Sequence, residues 1–283
     1  MDHNNLTSKI RRSQIAGMNL HYVYFTFEYF LNSMEKFGIE SIELWGGTPH
    51  FFAEHITYDD VRRMSAELTK RRMKLVCFTP EQVIYPFNIA ASEKDLRARS
   101  IQYFRNNIIA AADLGAPLML VTSGWGYFDE NRDSAWQRAV DALQYLSSFA
   151  EQNGVMLTME AFRPEESNLV NNLSSLKKML DEVSSKFLTP CLDTIAMGVA
   201  NESMQNYFDV LGQKITHCHF VDGNPYGHMA WGEGSFPLDE FVVTLNRNAY
   251  HGHLGLELTE SRYLSNPDEP IKKTMETLLP YFS

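Results

Sequence analysis

Two hydrophobic rhythms alternate along the chain. Short apolar runs without alternation, such as Val155–Met159, Phe187–Leu192 and Ile215–Val221, suit strands buried on both faces of a parallel sheet. Between them lie longer stretches with apolar residues spaced three and four apart. Leu176, Met179, Leu180 and Val183 stand at i, i+3, i+4 and i+7, the mark of a helix with one buried face. Read in order, the pattern predicts strands at Gln14–Leu20, Ile39–Trp45, Leu75–Phe78, Pro117–Val121, from Val155, at Phe187–Leu192, at Ile215–Val221 and at Leu254–Leu258. It predicts helices over Phe25–Phe37, Tyr58–Met73, Ser92–Leu114, Glu130–Gln152, Leu176–Val183, Ser203–Leu211, Leu238–Asn248 and Glu269–Tyr281.

The joints carry a second signal. Gly38, Gly115, Gly154, Gly212 and Gly252 each stand between a helix end and an apolar run, where a left-handed residue closes a helix. About eight strand–helix repeats in one chain is the count and length of a (β/α)8 TIM barrel. A doubly wound open sheet is the structural alternative, but neither a GxGxxG turn nor a GxxxxGK[ST] phosphate loop is present. No linker or shift of composition divides the chain, so 1–283 reads as a single domain.

Composition narrows the partners. The 283 residues are 44% hydrophobic and 12% aromatic, enough for a large core. With 25 Lys+Arg against 35 Asp+Glu the formal net charge is −10, which disfavours nucleic acid and anionic membrane surfaces. Cys77, Cys191 and Cys218 lie inside apolar runs without CxxC spacing and read as buried thiols of a reducing compartment. The polar start Met1–Arg12 lacks a signal-peptide core, and no run is long enough to span a bilayer, so the expectation is a cytoplasmic protein.

Candidate chemistry sits at strand ends. Glu160, Asp193, His219 and Glu257 stand at or near the ends of the last four apolar runs. In a barrel, such positions face one mouth, and adjacent strands are about 4.8 Å apart. Three carboxylates and one imidazole suit Mn²⁺, Mg²⁺, Co²⁺ or Zn²⁺; a lone acidic strand end is more often an ion-pair partner, but four in consecutive repeats are hard to assign to packing. His217 shares a strand face with His219 and reads as a neighbour of the ligand or as core. His50, after the second strand, and His228, in the long loop Asp222–Phe236 before Gly232-Glu233-Gly234, are candidate substrate contacts. Trp125, Tyr127, Trp231 and Phe162 are candidate walls of a sugar-sized pocket.

Several stretches together resemble the xylose isomerase-like sugar isomerase/epimerase superfamily, most narrowly its fructoselysine and ketose 3-epimerase branch: Ile42-Glu43-Leu44-Trp45-Gly46-Gly47 with Pro49-His50, Thr79-Pro80-Glu81 with Tyr85-Pro86, Glu160 with Glu166-Ser167-Asn168, Leu192-Asp193, His217 and His219 with Asp222, Gly232-Glu233-Gly234, and Glu257. The resemblance implies one divalent ion on Glu160, Asp193, His219 and Glu257, with Mn²⁺ ahead of Mg²⁺, Co²⁺, Ni²⁺ and Zn²⁺. It implies that Glu160 and Glu257 are the acid/base pair and that Glu166 contacts substrate. It implies epimerisation at C3 of a ketose or fructosamine: a proton beside a carbonyl is removed, the ion stabilises the enediolate as a Lewis acid, and the other carboxylate returns a proton to the opposite face. Two positions depart from the ketose epimerases. A substrate-contacting His three residues after Asp193 is replaced by Ala196, and an Arg six after His219 by Pro225.

Rival readings keep the frame and change the chemistry. An aldose–ketose isomerase or a keto-inositol dehydratase would move the same kind of proton. An endonuclease IV-like DNA repair enzyme needs more His and Asp ligands, and a non-catalytic sugar-binding barrel would not need an acid/base pair. The partner expected is a small-molecule sugar, with no nucleic acid and no membrane and with room for a homo-oligomer.

Overall fold

The computed structural model describes residues 9–283. His3 and the first part of the polar start lie outside the described residues. In chain order the elements are β1 (Ile15–Met18), α1 (Phe27–Lys36), β2 (Ser41–Gly46), α2 (Tyr58–Lys70), β3 (Lys74–Pro80), α3 (Lys94–Leu114), β4 (Leu118–Val121), α4 (Arg132–Gln152), β5 (Met156–Met159), α5 (Leu173–Val183) and β6 (Leu188–Asp193). They continue with α6 (Thr194–Val199), α7 (Met204–Leu211), β7 (His217–His219), β8 (Asp222–Asn224), β9 (Tyr226–Met229), α8 (Leu238–Arg247), β10 (His253–Leu256) and α9 (Asp268–Leu278). Eight strands close into a barrel in the order β1-β10-β7-β6-β5-β4-β3-β2, as the repeat count predicts; β8 and β9 form a separate ribbon.

By their internal contacts the residues group into two units. One runs to Glu43 and resumes at Leu192; the other is Leu44–Cys191. In the first, β1 pairs in parallel with β10 and with the start of β2, setting Gly17 beside Leu256 and Met18 beside Glu43. β10 pairs in turn with β7, setting Gly255 beside His219. Every residue of β1, β7 and the start of β2 is buried, so the polar side chains among them, Glu43, His217 and His219, need partners inside the protein.

In the second unit β3, β4, β5 and β6 pair in parallel, with Met119 opposite Leu157 and Thr158 opposite Thr189. The helices begin where the sequence offers caps. Thr57 and Asp60 cap α2 reciprocally, and Asn172 accepts from Ser175 N–H at the start of α5. Gly115, at φ +76°, closes α3 as expected. Ala139, Leu143 and Leu146 on α4 are buried; at order-of-magnitude cost, hiding each such leucine contributes about 1.5–3 kcal/mol. The loop after β3 is tied by Glu81, whose carboxylate accepts from Val83 and Ile84 N–H (2.7 Å each) and from Trp45 Nε1 (2.9 Å).

Two elements escape the hydrophobic pattern. Thr194–Val199 forms a short helix directly after β6, because Asp193 Oδ1 accepts from Ala196 N–H and caps it. The stretch read as one loop from Asp222 contains the β8–β9 hairpin, with Asp222 paired to Met229. All three cysteines are free and buried, as expected. Among the described residues no helix is long and apolar enough to cross a membrane.

Candidate active site

The cluster is built on the ends of three strands in the first unit. Asp193 is the last residue of β6, His219 the last of β7, and Glu257 follows β10. Thr194 Oγ1 donates toward the carbonyls of Val221 (2.8 Å) and His219 (3.2 Å) and accepts from Val221 N–H, which ties the chain beside Asp193 to the chain beside His219. His219 Nδ1 stands 3.1 Å from Glu257 Oε2 and 3.7 Å from Asp193 Oδ2. His228, brought in on β9, places Nε2 3.2 Å from the same Glu257 oxygen and 3.6 Å from the same Asp193 oxygen. Two imidazole nitrogens therefore face two carboxylate oxygens in a space shielded from water.

The electrostatics follow from that shielding. Burial pushes the Glu257 carboxyl up, but the His219 and His228 imidazoles outweigh it and hold it well below the usual carboxylate range. Burial pushes His228 down, and the facing carboxylates of Asp193 and Glu257 reverse this, raising it to about 10. Asp193 Oδ2 is buried and has no hydrogen-bond partner, since 3.6 Å is beyond hydrogen-bond reach. A buried anionic oxygen without a donor is costly unless something positive meets it.

That pattern fits a divalent cation. Ligand atoms about 2.1 Å from one ion and about 90–110° apart stand about 3.0–3.4 Å from each other. Asp193, His219 and Glu257 each offer a ligand atom, and these atoms lie within 4.8 Å of one another. Their nitrogen and oxygen donors suit Mn²⁺, Mg²⁺ or Zn²⁺ rather than a thiolate-seeking metal.

A residue unforeseen as chemistry stands beneath them. Glu43, in the middle of β2 and fully buried, accepts from His217 Nε2 (2.8 Å) and His219 Nε2 (3.0 Å). Burial pushes this carboxyl up, and the imidazoles of His219 and His217 override it, so it lies well below the ordinary value. The sequence did hold a clue: a carboxylate inside the run Ser41–Gly46 must have a partner. His217 is thus a buried partner of Glu43.

The other expected site residues fall in the second unit. Glu160 directly follows β5, buried, with the Cys191 thiol 3.9 Å from its Oε2. Glu166 is held by Arg163, through its backbone N–H (3.1 Å) and Nε (3.0 Å) and through an Nη2–Oε1 ion pair. His50 lies half-buried in the turn after β2. Trp125 is partly exposed, edge-on to Tyr127 at 5.4 Å. Phe162 is buried in the same unit. Trp231, in the first unit, is no pocket wall: it is buried against Phe220 and Phe241, and its Nε1 donates to the Phe220 carbonyl at 3.0 Å.

A model of the xylose isomerase-like TIM barrel family matches residues 31–281. The chain belongs to that family. Among its relatives is the fructoselysine 3-epimerase of Shigella flexneri, 30% identical over 251 residues that cover 88% of this chain and 91% of the relative. The D-psicose 3-epimerase of Enterocloster bolteae is 30% identical over a shorter stretch, 46% of this chain and 41% of that one. Among solved structures, the D-psicose 3-epimerase of Clostridium cellulolyticum H10 with D-tagatose superimposes with a TM-score of 0.79 at 15% identity, over 93% of this chain and 96% of the other, a likeness of fold. Within the xylose isomerase-like family, these relatives place the chain among the epimerases, enzymes of the isomerase class.

Proposed function

We propose that the protein is a divalent-metal-dependent sugar epimerase that inverts C3 of a ketose or fructosamine, with Glu160, Asp193, His219 and Glu257 as the metal ligands. The observation that carries this reading is the buried Asp193–His219–Glu257 cluster, with a carboxylate oxygen that no hydrogen bond satisfies. Its support from kinship is the identity to a fructoselysine 3-epimerase along most of the chain. Glu160 joins the set by its place after β5, equivalent to that of Glu257 after β10. The reading also takes 1–283 as one working domain. The boundaries between the two units fall inside β2 and β6 rather than in linkers, which supports it.

In this scheme Glu160 and Glu257 work from opposite faces of the sugar. One carboxylate takes the proton from C3, and the C–H electron pair moves toward the C2 carbonyl to give an enediolate. The other returns a proton to the opposite face, and the electron pair re-forms the carbonyl at C2. A bound cation would supply Lewis-acid polarisation of the substrate oxygens and offset the developing charge. His228, which faces Glu257, would contact a substrate hydroxyl in this reading. Glu166, His50 and Trp125 are the further substrate contacts of the proposal. With Ala196 and Pro225 where ketose epimerases carry a His and an Arg, the substrate is drawn toward the fructosamines.

The test is proton exchange. In D₂O with Mn²⁺, a panel of ketoses and fructosamines should include one substrate that gains deuterium at C3 and yields its C3 epimer. Exchange at C1 with an aldose product would favour an isomerase, and loss of water a dehydratase. No exchange with any member would leave a binding protein and defeat the proposal.

A further inference from the structure

We propose that Glu43 is a positioning residue that fixes the tautomer of His219, so that its Nδ1 lone pair rather than an N–H faces Asp193 and Glu257. This inference rests on the metal reading above and adds a residue to it.

The geometry is specific. A carboxylate only accepts hydrogen bonds, so a nitrogen that bonds to it must carry the proton. Glu43 Oε1 meets His219 Nε2 at 3.0 Å and Oε2 meets His217 Nε2 at 2.8 Å. In the neutral ring a proton held on Nε2 leaves Nδ1 as a lone pair, the form a metal requires. His219 Nδ1 is the nitrogen 3.1 Å from Glu257 and 3.7 Å from Asp193. The second oxygen of Glu43 is bound by His217, so the carboxylate cannot swing away without breaking that bond.

The strand beside it makes room for this arrangement. A Cβ on Gly255 would lie 2.3 Å from Glu43 Oε2 and 3.1 Å from His217 Nε2. Gly255 pairs with His219 across β10 and β7, and a bare backbone there lets the Glu43 carboxylate reach both rings. Four residues on three strands thus form one device: an acceptor, the two rings it orients, and a glycine that leaves the space open.

Glu43→Gln tests the device. Gln offers one acceptor oxygen and one amide where two imidazole N–H groups converge, so one ring must change tautomer or lose its bond. Zinc and manganese affinity, measured by competition with a chelating dye, should fall about 10- to 100-fold, while the circular dichroism of the protein is retained. Gly255→Ala should weaken affinity in the same direction by displacing the carboxylate. Ile42→Ala, a cavity in the same strand, should lower stability and leave affinity unchanged. In the wild-type protein loaded with diamagnetic Zn²⁺ and labelled with [¹⁵N]histidine, His219 should show a protonated Nε2 and a metal-shifted Nδ1. A proton on Nδ1, or metal on Nε2, overturns the proposal even if the variants do not fold. So does a folded Glu43→Gln with wild-type affinity. A wild-type protein that takes up no metal would instead remove the metal reading, and this proposal with it.

Discussion

Asp222 and Asp193 are both buried aspartates near strand ends of the same unit, and their surroundings are opposite. Asp222 is saturated. Its two oxygens accept from the backbone N–H groups of Gly223 (2.9 Å), Gly232 (3.0 Å), Gly234 (2.8 Å) and Phe236 (3.1 Å). Gly232 takes φ +91°, and a Cβ on Gly234 would lie 2.4 Å from the carboxylate, so the glycines exist to let the backbone wrap it. Asp193 spends Oδ1 on Ala196 and leaves Oδ2 facing imidazoles beyond hydrogen-bond reach. A buried carboxylate surrounded by its own donors builds a loop; one without them keeps an oxygen free to meet a positive charge, as the proposed metal site requires. The two are linked, since the loop wrapped on Asp222 contains β9 and with it His228, which faces Asp193.

Substitutions can break this comparison in order of expected effect. The largest belongs to the acid/base pair. Glu160→Gln and Glu257→Gln should each lower the epimerisation rate about 10²- to 10⁴-fold with folding intact; near-normal turnover in either would remove that residue from the chemistry. Next come the two aspartates. Asp222→Asn sets an amide among N–H donors and should cost about 2–4 kcal/mol in urea unfolding, with a fall in kcat/KM as the His228 loop loosens. Asp193→Asn keeps the cap on Ala196, so metal-free stability should change by less than about 1 kcal/mol while catalysis is lost. Equal stability losses at the two sites would erase the distinction.

Chelation sharpens it further. An ion at a hundred times its Kd stabilises the fold by about 2.7 kcal/mol, so EDTA should lower the Tm of the wild type and leave that of Asp193→Asn unchanged.

The smallest effect lies away from the site. Asp268, at the start of α9, accepts from Ser33 Oγ (2.5 Å) and Lys36 Nζ (2.8 Å). Burial pushes its carboxyl up, but the Lys36 and Ser33 hydrogen bonds outweigh it and hold it below the ordinary value. A depressed folded-state value adds stability above the unfolded value near pH 4 and loses it as the pH falls through the folded-state value. Asp268→Asn should therefore cost about 1 kcal/mol at pH 7, and the cost should fade on acidification below about pH 4, as read by urea unfolding at several pH values.

Much of the frame was legible in the sequence because parallel strands buried on both faces leave runs without alternation, and Gly115 and the capping Thr57 mark helix ends. The strand-end residues Asp193, His219 and Glu257 stood out for a physical reason: a charge or a ring nitrogen beside a buried run needs a partner. What stayed hidden was set by tertiary contact. The short helix Thr194–Val199 has too few residues to show a period, and it forms because Asp193 caps it. The β8–β9 hairpin hides in a stretch with Pro225 and Gly227 that reads as loop. Glu43 hides inside an apolar run, and only the fold reveals that its partners are two histidines far along the chain.

The central claim is that side chains from separate strand ends hold one cation. Titration of metal-free protein with Mn²⁺, followed by the electron paramagnetic resonance signal of the free ion, tests it most directly. The account predicts one tightly bound Mn²⁺ per chain in the wild type and none in Asp193→Asn. Uptake that is absent from the wild type, or undiminished in the variant, would contradict it.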